Sequence, residues 1–348
     1  MNINKSLFKQ INEYGHIYSC YSYEIERFLI GNLDFFERQE EAIKIIHDIL
    51  AAHGKQELLS CLADLAVVET KIRELEPWIR DHVVHALLTL ILGIYINEEF
   101  MKNVIGSPVN IFQWKLAGLL HDIGYPIEIA KGVGEPFGFT LNKLRRRFGA
   151  VGLVRFPVIP FGLESLSNNK NGLFLIQQQL DDWEVKIDAV REYSRMQRED
   201  KICHGMISSL ALLNVIDSMY QHFNPGRCYE TIYSSPNSDI DWNRKYFEED
   251  IIPACSAIFI HNLPLRCFKN SKVDPLKAPL PFLLKLCDCL QDWERPSYKK
   301  QRGLPADLFN IQIQNDNILF FADVPKREKE KLRASVYNYL ETQSVQII

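Results

Sequence analysis

The sequence lacks several features that would place it in a specialised class of protein. Its eight cysteines include no Cys-x-x-Cys pair, which disfavours a zinc ribbon or a dithiol redox site. The longest apolar run, residues 86–96, is too short to cross a bilayer, and the first residues contain no apolar segment typical of a signal peptide. A net charge of -4 also lacks the basic excess of bulk nucleic-acid or membrane-surface binders. These absences predict a soluble, cytoplasmic protein with reduced thiols, no membrane association and no bulk nucleic-acid binding.

The hydrophobic pattern predicts a mainly helical chain without internal repeats or low-complexity tracts. Apolar residues recur at helical spacing over most of residues 1–302, which predicts one large all-α domain with a looser insertion at about 131–172. The end of the chain differs, because LFNIQIQ and ILFFADV alternate around the turn NDN and Pro325 precedes a charged helical segment. Residues 303–348 are therefore expected to form a small β-hairpin and a helix appended to the helical domain.

Apolar helical segments of this chain carry isolated side chains of the kind that bind divalent metals. Imidazole and carboxylate groups are good ligands for such ions, and an aspartate on an apolar face is rarely buried unless it is paired or bound to metal. Taken singly, each of these histidines is more simply explained as a hydrogen-bonded core histidine, but their repetition on five segments favours one shared site. The residues concerned are His82 and His85, His121 and Asp122, His204, His261 and Asp288.

The order His…His-Asp…His…His…Asp over residues 78–295 resembles the binuclear branch of the HD superfamily of metal-dependent phosphohydrolases. The phrases HALLTL, LLHDIG and LLKLCDCLQ are similar to family segments, and the resemblance implies an HD-domain helical bundle. It also implies that Asp122 bridges two metal ions. The implied ligands are His85, His121, Asp122 and Asp288 for the first ion, with His82 as the competing first ligand on nearly the same helix face, and His204, His261 and Asp122 for the second.

The same resemblance implies an enzyme that cleaves a phosphoester of a small phosphorylated substrate by metal-activated hydroxide. A nucleotide or cyclic nucleotide is the expected substrate, as for a phosphodiesterase-like hydrolase. The two divalent ions could be Mn, Fe, Mg, Ni, Co or Zn, and no organic cofactor is implied. Asp122 and His82 are the expected catalytic residues, with His82 as the proton donor to the leaving oxygen. Asp81 or Asp292 could orient the imidazoles, or could be surface charges.

Departures from family patterns leave alternatives open. No histidine lies between 121 and 204, which disfavours the deoxynucleoside triphosphohydrolases of the superfamily. Tyr125 stands where the HD-GYP phosphodiesterases usually have lysine. The same ligands could instead hold two irons in an HD-type oxygenase, or metal and nucleotide could regulate a partner protein. The C-terminal hairpin and helix could then be a docking surface, a lid or the contact of a homo-oligomer.

Overall fold

The fold was examined in a computed structural model that describes residues 2–13, 22–75, 81–147, 162–201, 203–223, 247–269, 272–295 and 303–348. The described residues form thirteen α-helices and one small sheet, so the chain is all-α with a minor β element, as predicted. The helices are α1 (Ile3–Glu13), α2 (Ser22–Ile30), α3 (Phe35–Ala51), α4 (Leu59–Leu75), α5 (His82–Ile96), α6 (Ile111–Leu120), α7 (Tyr125–Arg147), α8 (Gly172–Asp182), α9 (Ala189–Glu199), α10 (His204–Phe223), α11 (Ile252–His261), α12 (Pro279–Leu290) and α13 (Lys326–Tyr337). The strands are β1 (Phe309–Gln314), β2 (Asn317–Ala322) and β3 (Val345–Ile347).

Two helices, α5 and α11, form the centre of the bundle. Every residue of both helices is buried, because they are apolar on all sides and need neighbours around their whole circumference. Helix α5 packs against α1, α3, α4, α6 and α12, and α11 packs against α6, α8, α10 and α12. The Trp114 indole donates a hydrogen bond of 3.0 Å to the Leu90 carbonyl and joins α6 to α5. Polar side chains on these helices therefore face protein interior rather than bulk water.

Helix α5 continues without a break into a π-helical stretch, Asn97–Ile105. Together they form a helix of 24 residues that is long and apolar enough to cross a membrane. However, 89% of its most apolar window is buried inside the fold. The second stretch that passes this test is a bent pair of helices, α9 with part of α10, which turns through 114°.

The C-terminal sheet has the order β1-β2-β3. The hairpin predicted around NDN is confirmed: β1 and β2 are antiparallel, with Gln314 paired to Asn317. Asn315 and Asp316 both have positive φ, which is the conformation that a two-residue type I′ turn requires. Strand β3 adds in parallel to β2 and was not predicted, because three residues are too few for a readable alternation.

Three local expectations differ from the structure. Residues 131–147 were expected to be a loose insertion but continue helix α7. Each glycine in this stretch costs the helix roughly 1 kcal/mol, and the helix forms despite that cost. Gly124 and Pro126 predict the end of the helix that precedes His121; this helix does end just before them, at Leu120, but Pro126 lies in the first turn of α7, where proline is well tolerated. Pro77 predicts the start of a helix, but within the described residues this helix begins at His82, with Asp81 as its N-cap. Residues 224–244, whose Pro, Asn and Ser content predicts a loop, and the rest of the insertion up to residue 161 lie outside the described residues.

Candidate metal centre

The adjacent residues His121 and Asp122 lie in a tight turn between two helices. Helix α6 ends at Leu120, the turn covers residues 121–124, and α7 begins at Tyr125. The Gly124 amide donates a hydrogen bond of 2.8 Å to the Ser208 hydroxyl, and a Cβ at position 124 would lie 2.6 Å from the Ser208 backbone nitrogen. Glycine is therefore required here by the close approach of α10, and this contact brings the turn next to the ligands of that helix.

The two carboxylate oxygens of Asp122 divide the surrounding histidines into two groups. Oδ2 lies 3.5 Å from His121 Nε2 and 3.8 Å from His85 Nε2. Oδ1 lies 3.2 Å from His204 Nε2 and 3.6 Å from His261 Nε2. Within each group the ligand atoms, including Asp122, all lie within 4.8 Å of one another. The geometry is that of two three-ligand sites that share one carboxylate.

Asp288 adds to the first of these groups from helix α12. Its Oδ1 atom lies 3.3 Å from His85 Nε2, and its side chain is 19% exposed. The six residues predicted as metal ligands from widely separated segments thus lie around one centre. His85 rather than His82 stands in the compact first group, although their Nε2 atoms lie at similar distances, 3.8 and 3.9 Å, from Asp122 Oδ2.

Two of the ligand histidines are anchored by carbonyl groups of their own helices. His121 Nδ1 lies 3.0 Å from the Gly118 oxygen, and His261 Nδ1 lies 2.6 Å from the Ile258 oxygen. Because a carbonyl oxygen only accepts hydrogen bonds, both Nδ1 atoms must carry the ring proton. In the neutral rings, Nε2 therefore presents a lone pair toward Asp122, as a metal ligand does.

The other two ligand histidines are anchored by side chains. His85 Nδ1 hydrogen-bonds to Gln291 Oε1, and the Gln291 amide is oriented because its Nε2 donates to the Trp293 carbonyl at 2.9 Å. His204 Nδ1 lies 2.8 Å from Glu128 Oε2. Such outer partners fix the ring orientation and tautomer of metal-binding histidines.

The resulting arrangement of donor atoms fits divalent cations. His85 Nε2 and His121 Nε2 lie 3.2 Å apart, although the outer partners of both rings place the ring protons on Nδ1. Two lone pairs facing each other at this distance repel unless a positive charge lies between them. In addition, His261 Nε2 is buried and forms no hydrogen bond with any described residue, a costly state that a bound cation would relieve.

Burial and charge give most of these ligands the protonation state that metals need. Burial alone would raise the pKa of the Asp122 carboxyl, but the neighbouring imidazole of His121 and the hydrogen bond from His204 hold it well below its usual range. The pKa of Asp288 is likewise held low by His85 and Lys285 against the effect of burial. Burial lowers the pKa of His121 below its usual value. The centre therefore has anionic carboxylates and a neutral imidazole.

His85 and His204 differ in charge although both are buried. Burial, followed by the charge of Arg295, lowers the pKa of His85 to about 4. Burial opposes the charge on His204 too, but its hydrogen bonds with Asp122 and Glu128 raise its pKa to about 9. In the protein without metal, His204 is therefore protonated at neutral pH and must release this proton to become a ligand.

His82 occupies a separate position beside the first group. Its Nδ1 lies 2.5 Å from Glu69 Oε1 on helix α4, and its Nε2 lies 3.9 Å from Asp122 Oδ2. The ring lies against Tyr125, with centroids 3.7 Å apart. Burial, then Asp81, raises the pKa of Glu69 well above its usual value, and burial lowers that of His82. Both directions favour an uncharged pair, in which a Glu69 carboxyl that donates to Nδ1 would leave a proton on His82 Nε2.

A cleft of about 210 Å³ lies beside the second group. Cys203 and Asn262, the neighbours in sequence of His204 and His261, line this cleft. The Asn262 side-chain nitrogen lies 3.0 Å from His204 Nδ1, so this amide touches one of the ligand candidates. None of the six ligand candidates lines the cleft, which therefore lies one residue away from the centre.

Sequence reasoning missed the residues that orient the ligands. Asp81, one expected orienting residue, instead caps helix α5 by accepting a hydrogen bond of 2.9 Å from the Val84 amide. Gln291 and Glu128 orient the ligand candidates His85 and His204, and Glu69 holds His82. Only Gln291 had a readable signal, because it lies three residues after Asp288, at the C-cap of the same helix.

Comparisons with other proteins do not assign this chain to a family. It matches no protein-family model, and no curated protein or solved structure is similar enough to support a comparison.

Proposed function

We propose that the protein is a metal-dependent phosphohydrolase of the HD type that cleaves a phosphoester of a small molecule, with a nucleotide or cyclic nucleotide as the expected substrate. The observation that carries this proposal is the division of four histidines between the two oxygens of one buried aspartate, Asp122. A bridging carboxylate between two three-ligand groups is suited to two-metal hydrolysis. The resemblance of the sequence to the HD superfamily supports the same function.

The residues that would hold the metals follow from the geometry. His85, His121, Asp122 and Asp288 would bind the first ion, and Asp122, His204 and His261 would bind the second. When bound, such ions lower the pKa of water and neutralise the charge of phosphoryl oxygens. Asp122 would set the separation of the ions, and the outer partners Gln291 and Glu128 would keep the imidazoles directed at them.

His82 and Glu69 would supply the proton that the leaving oxygen needs. His82 Nε2 faces the Asp122 carboxylate at 3.9 Å, and Glu69 holds Nδ1 from behind. As Nε2 gives its proton to the leaving oxygen, the Glu69 carboxyl gives its own proton to Nδ1. His82 thus remains neutral, Glu69 becomes a carboxylate, and the new alcohol leaves without a negative charge.

The test is metal analysis combined with an assay of phosphomonoesters, diesters and cyclic nucleotides. Asp122→Asn keeps the size of the side chain but removes the bridging charge, and we expect it to lose both metals and hydrolysis. The control is His47→Ala, because His47 is an exposed histidine that contacts only its neighbour Asp48 among the interactions seen here. This control should retain about two metals per chain and full activity.

The outcomes separate the proposed function from its alternatives. Two metals in the wild type, lost in Asp122→Asn together with phosphoester cleavage, would support the hydrolase. Two irons without hydrolysis of any ester would favour an oxygenase and contradict the proposal. A wild-type protein that binds no divalent ion would contradict the metal centre itself.

A further inference from the structure

Arg295 follows the helix that carries Asp288 and is directed back toward the centre by a constrained turn. Glu294 has a left-handed backbone with φ of 60°, and its amide donates a hydrogen bond of 2.7 Å to the Leu304 carbonyl. A Cβ at Gly303 would lie 2.2 Å from the Arg295 nitrogen, so the returning chain presses directly on the turn. A non-glycine residue in this conformation costs roughly 1 kcal/mol or more and persists only where the surroundings impose it.

The first helices of the chain hold this turn in place. Arg38 on α3 forms an ion pair of 2.8 Å with Glu294, and Asn4 on α1 donates to Glu294 Oε2 at 3.3 Å. Asn4 also accepts a hydrogen bond of 2.9 Å from the indole of the fully buried Trp293. The position of the Arg295 backbone is therefore fixed before any ligand binds, which lowers the entropic cost of binding.

The guanidinium of Arg295 lies beside the residues that would contact substrate. Its Nη1 atom is 3.7 Å from Asp288 Oδ1, the same oxygen that faces His85, and the side chain is 12% exposed. The charge of Arg295 contributes to lowering the pKa values of His85 and His82. It thus lies close to both a metal ligand and the proton donor.

Arg295 is a permanent cation next to a centre for two divalent ions. This concentration of positive charge implies that an anion binds between Arg295 and the metals. The ligands supply only two carboxylates, Asp122 and Asp288, so two divalent ions and Arg295 would leave a surplus of positive charge. A phosphodiester has two non-ester oxygens and one negative charge. A phosphomonoester has three such oxygens and about two charges at neutral pH, so one oxygen remains for a guanidinium when the metals hold the others.

We infer that Arg295 binds a non-ester oxygen of the substrate phosphoryl group and that the preferred substrates are phosphomonoesters rather than diesters. This inference rests on the proposed function. Guanidinium groups suit the role because they stay charged at all relevant pH values and can bind two oxygens of one phosphate. Arg295 would also fix the orientation of the phosphoryl group relative to His82 Nε2.

Binding of inorganic phosphate to the metal-loaded protein tests this inference without relying on turnover. Equilibrium dialysis or calorimetry would compare the wild type with Arg295→Met and Arg295→Lys, with metal content and thermal stability measured in parallel. We expect at least tenfold weaker phosphate binding by Arg295→Met with the metals retained, and an intermediate loss for Arg295→Lys. The control is Arg27→Met. Arg27 lies on helix α2 and also forms an ion pair with a largely buried carboxylate, that of Glu41. This variant should bind phosphate as the wild type does.

If Arg295→Met loses its metals, the phosphate affinity of Arg295→Lys becomes the test, because lysine keeps the positive charge but lacks the paired N–H donors of arginine. Phosphate affinity within twofold of the wild type in metal-retaining Arg295 variants would overturn the inference, as would an equal loss in Arg27→Met. The wild type should also prefer a monoester over a diester with the same leaving group, and Arg295→Met should reduce that preference through KM. Phosphate binding through Arg295 without any ester hydrolysis would instead refute the proposed function and leave the anion site standing. Hydrolysis with an unchanged Arg295→Met would refute only the role of Arg295.

Discussion

Binding of the second metal should depend strongly on pH, because His204 holds a proton that the metal must displace. Asp122 and Glu128 outweigh the effect of burial and raise its pKa to about 9. At pH 7 about 1% of the protein then has neutral His204, which weakens the apparent metal affinity about 100-fold, or by roughly 2.7 kcal/mol. Between pH 6 and pH 8 the affinity should rise about tenfold per pH unit.

Calorimetry in buffers of different ionisation enthalpy would measure this coupling directly. At pH 7 the second metal should release about one proton from His204. Glu128→Gln removes one of the two carboxylates that raise this pKa and should reduce the pH dependence. Glu98→Gln is the matched control, since Glu98 pairs with Lys102 on the surface of the helix. Affinity that does not change between pH 6 and pH 8, or binding without proton release, would refute the assignment of His204 as a charged residue that becomes a ligand.

The same proton has a consequence for the stability of the metal-free protein. Because the folded pKa of His204 lies above its unfolded value of 6.5, its charged contacts stabilise the fold fully below pH 6.5. This contribution, up to roughly 3 kcal/mol, is lost as the pH rises through about 9. Denaturant unfolding of metal-free protein at pH 6.5 and 9 would measure it, and His204→Gln should remove most of the difference. Equal stability at both pH values in the wild type would contradict this reasoning.

Three further changes test other contacts of the centre. Gln291→Leu should weaken metal binding about 10–100-fold, measured by competition with a chelator, because His85 loses the partner that orients it; unchanged affinity would show that the contact is unimportant. His82→Ala should retain both metals but lower kcat about 10²–10⁴-fold for esters with poor leaving groups and far less for a nitrophenyl ester. Glu69→Gln should show the same pattern. An equal loss of kcat for both kinds of ester would exclude His82 as a proton donor. Gly124→Ala should lower thermal stability by about 1–3 kcal/mol, since its Cβ would lie 2.6 Å from the backbone of α10, and a wild-type melting temperature would show that the turn can shift.

The residues that could be predicted from the sequence are those whose chemistry conflicts with their surroundings. Histidines and an aspartate on apolar helices, such as His261 and Asp288, stand out because burial there is costly without a partner. The helical fold and the C-terminal hairpin were readable for a related reason, since periodicity reflects which face is buried.

The rest depends on contacts between distant segments. Glu69 and Glu128 look like ordinary surface charges on amphipathic helices, and only the packing of α4 and α7 brings them to histidines. Arg295 is similar, because the turn that directs it is imposed by residues such as Asn4 and Arg38. Local patterns contain no information about these partners, so the sequence indicates the clustered histidines and aspartates but not the residues that hold them in place.

The anchoring of the 293–294 turn by the first helices also constrains the order in which the protein can fold. Asn4 and Trp293 are separated by 289 positions, and Ser6 and Asn310, which share a hydrogen bond of 2.8 Å, by 304. Contacts of such high sequence separation close large loops, and this entropic cost makes them slow to form while the intervening chain is still unfolded. The turn at residues 121–124, between the consecutive helices α6 and α7, depends on contacts of much smaller sequence separation. We therefore expect the part of the centre around Asp288 and Arg295 to be completed last, so that a chain acquires its full ligand set only when folding is almost finished.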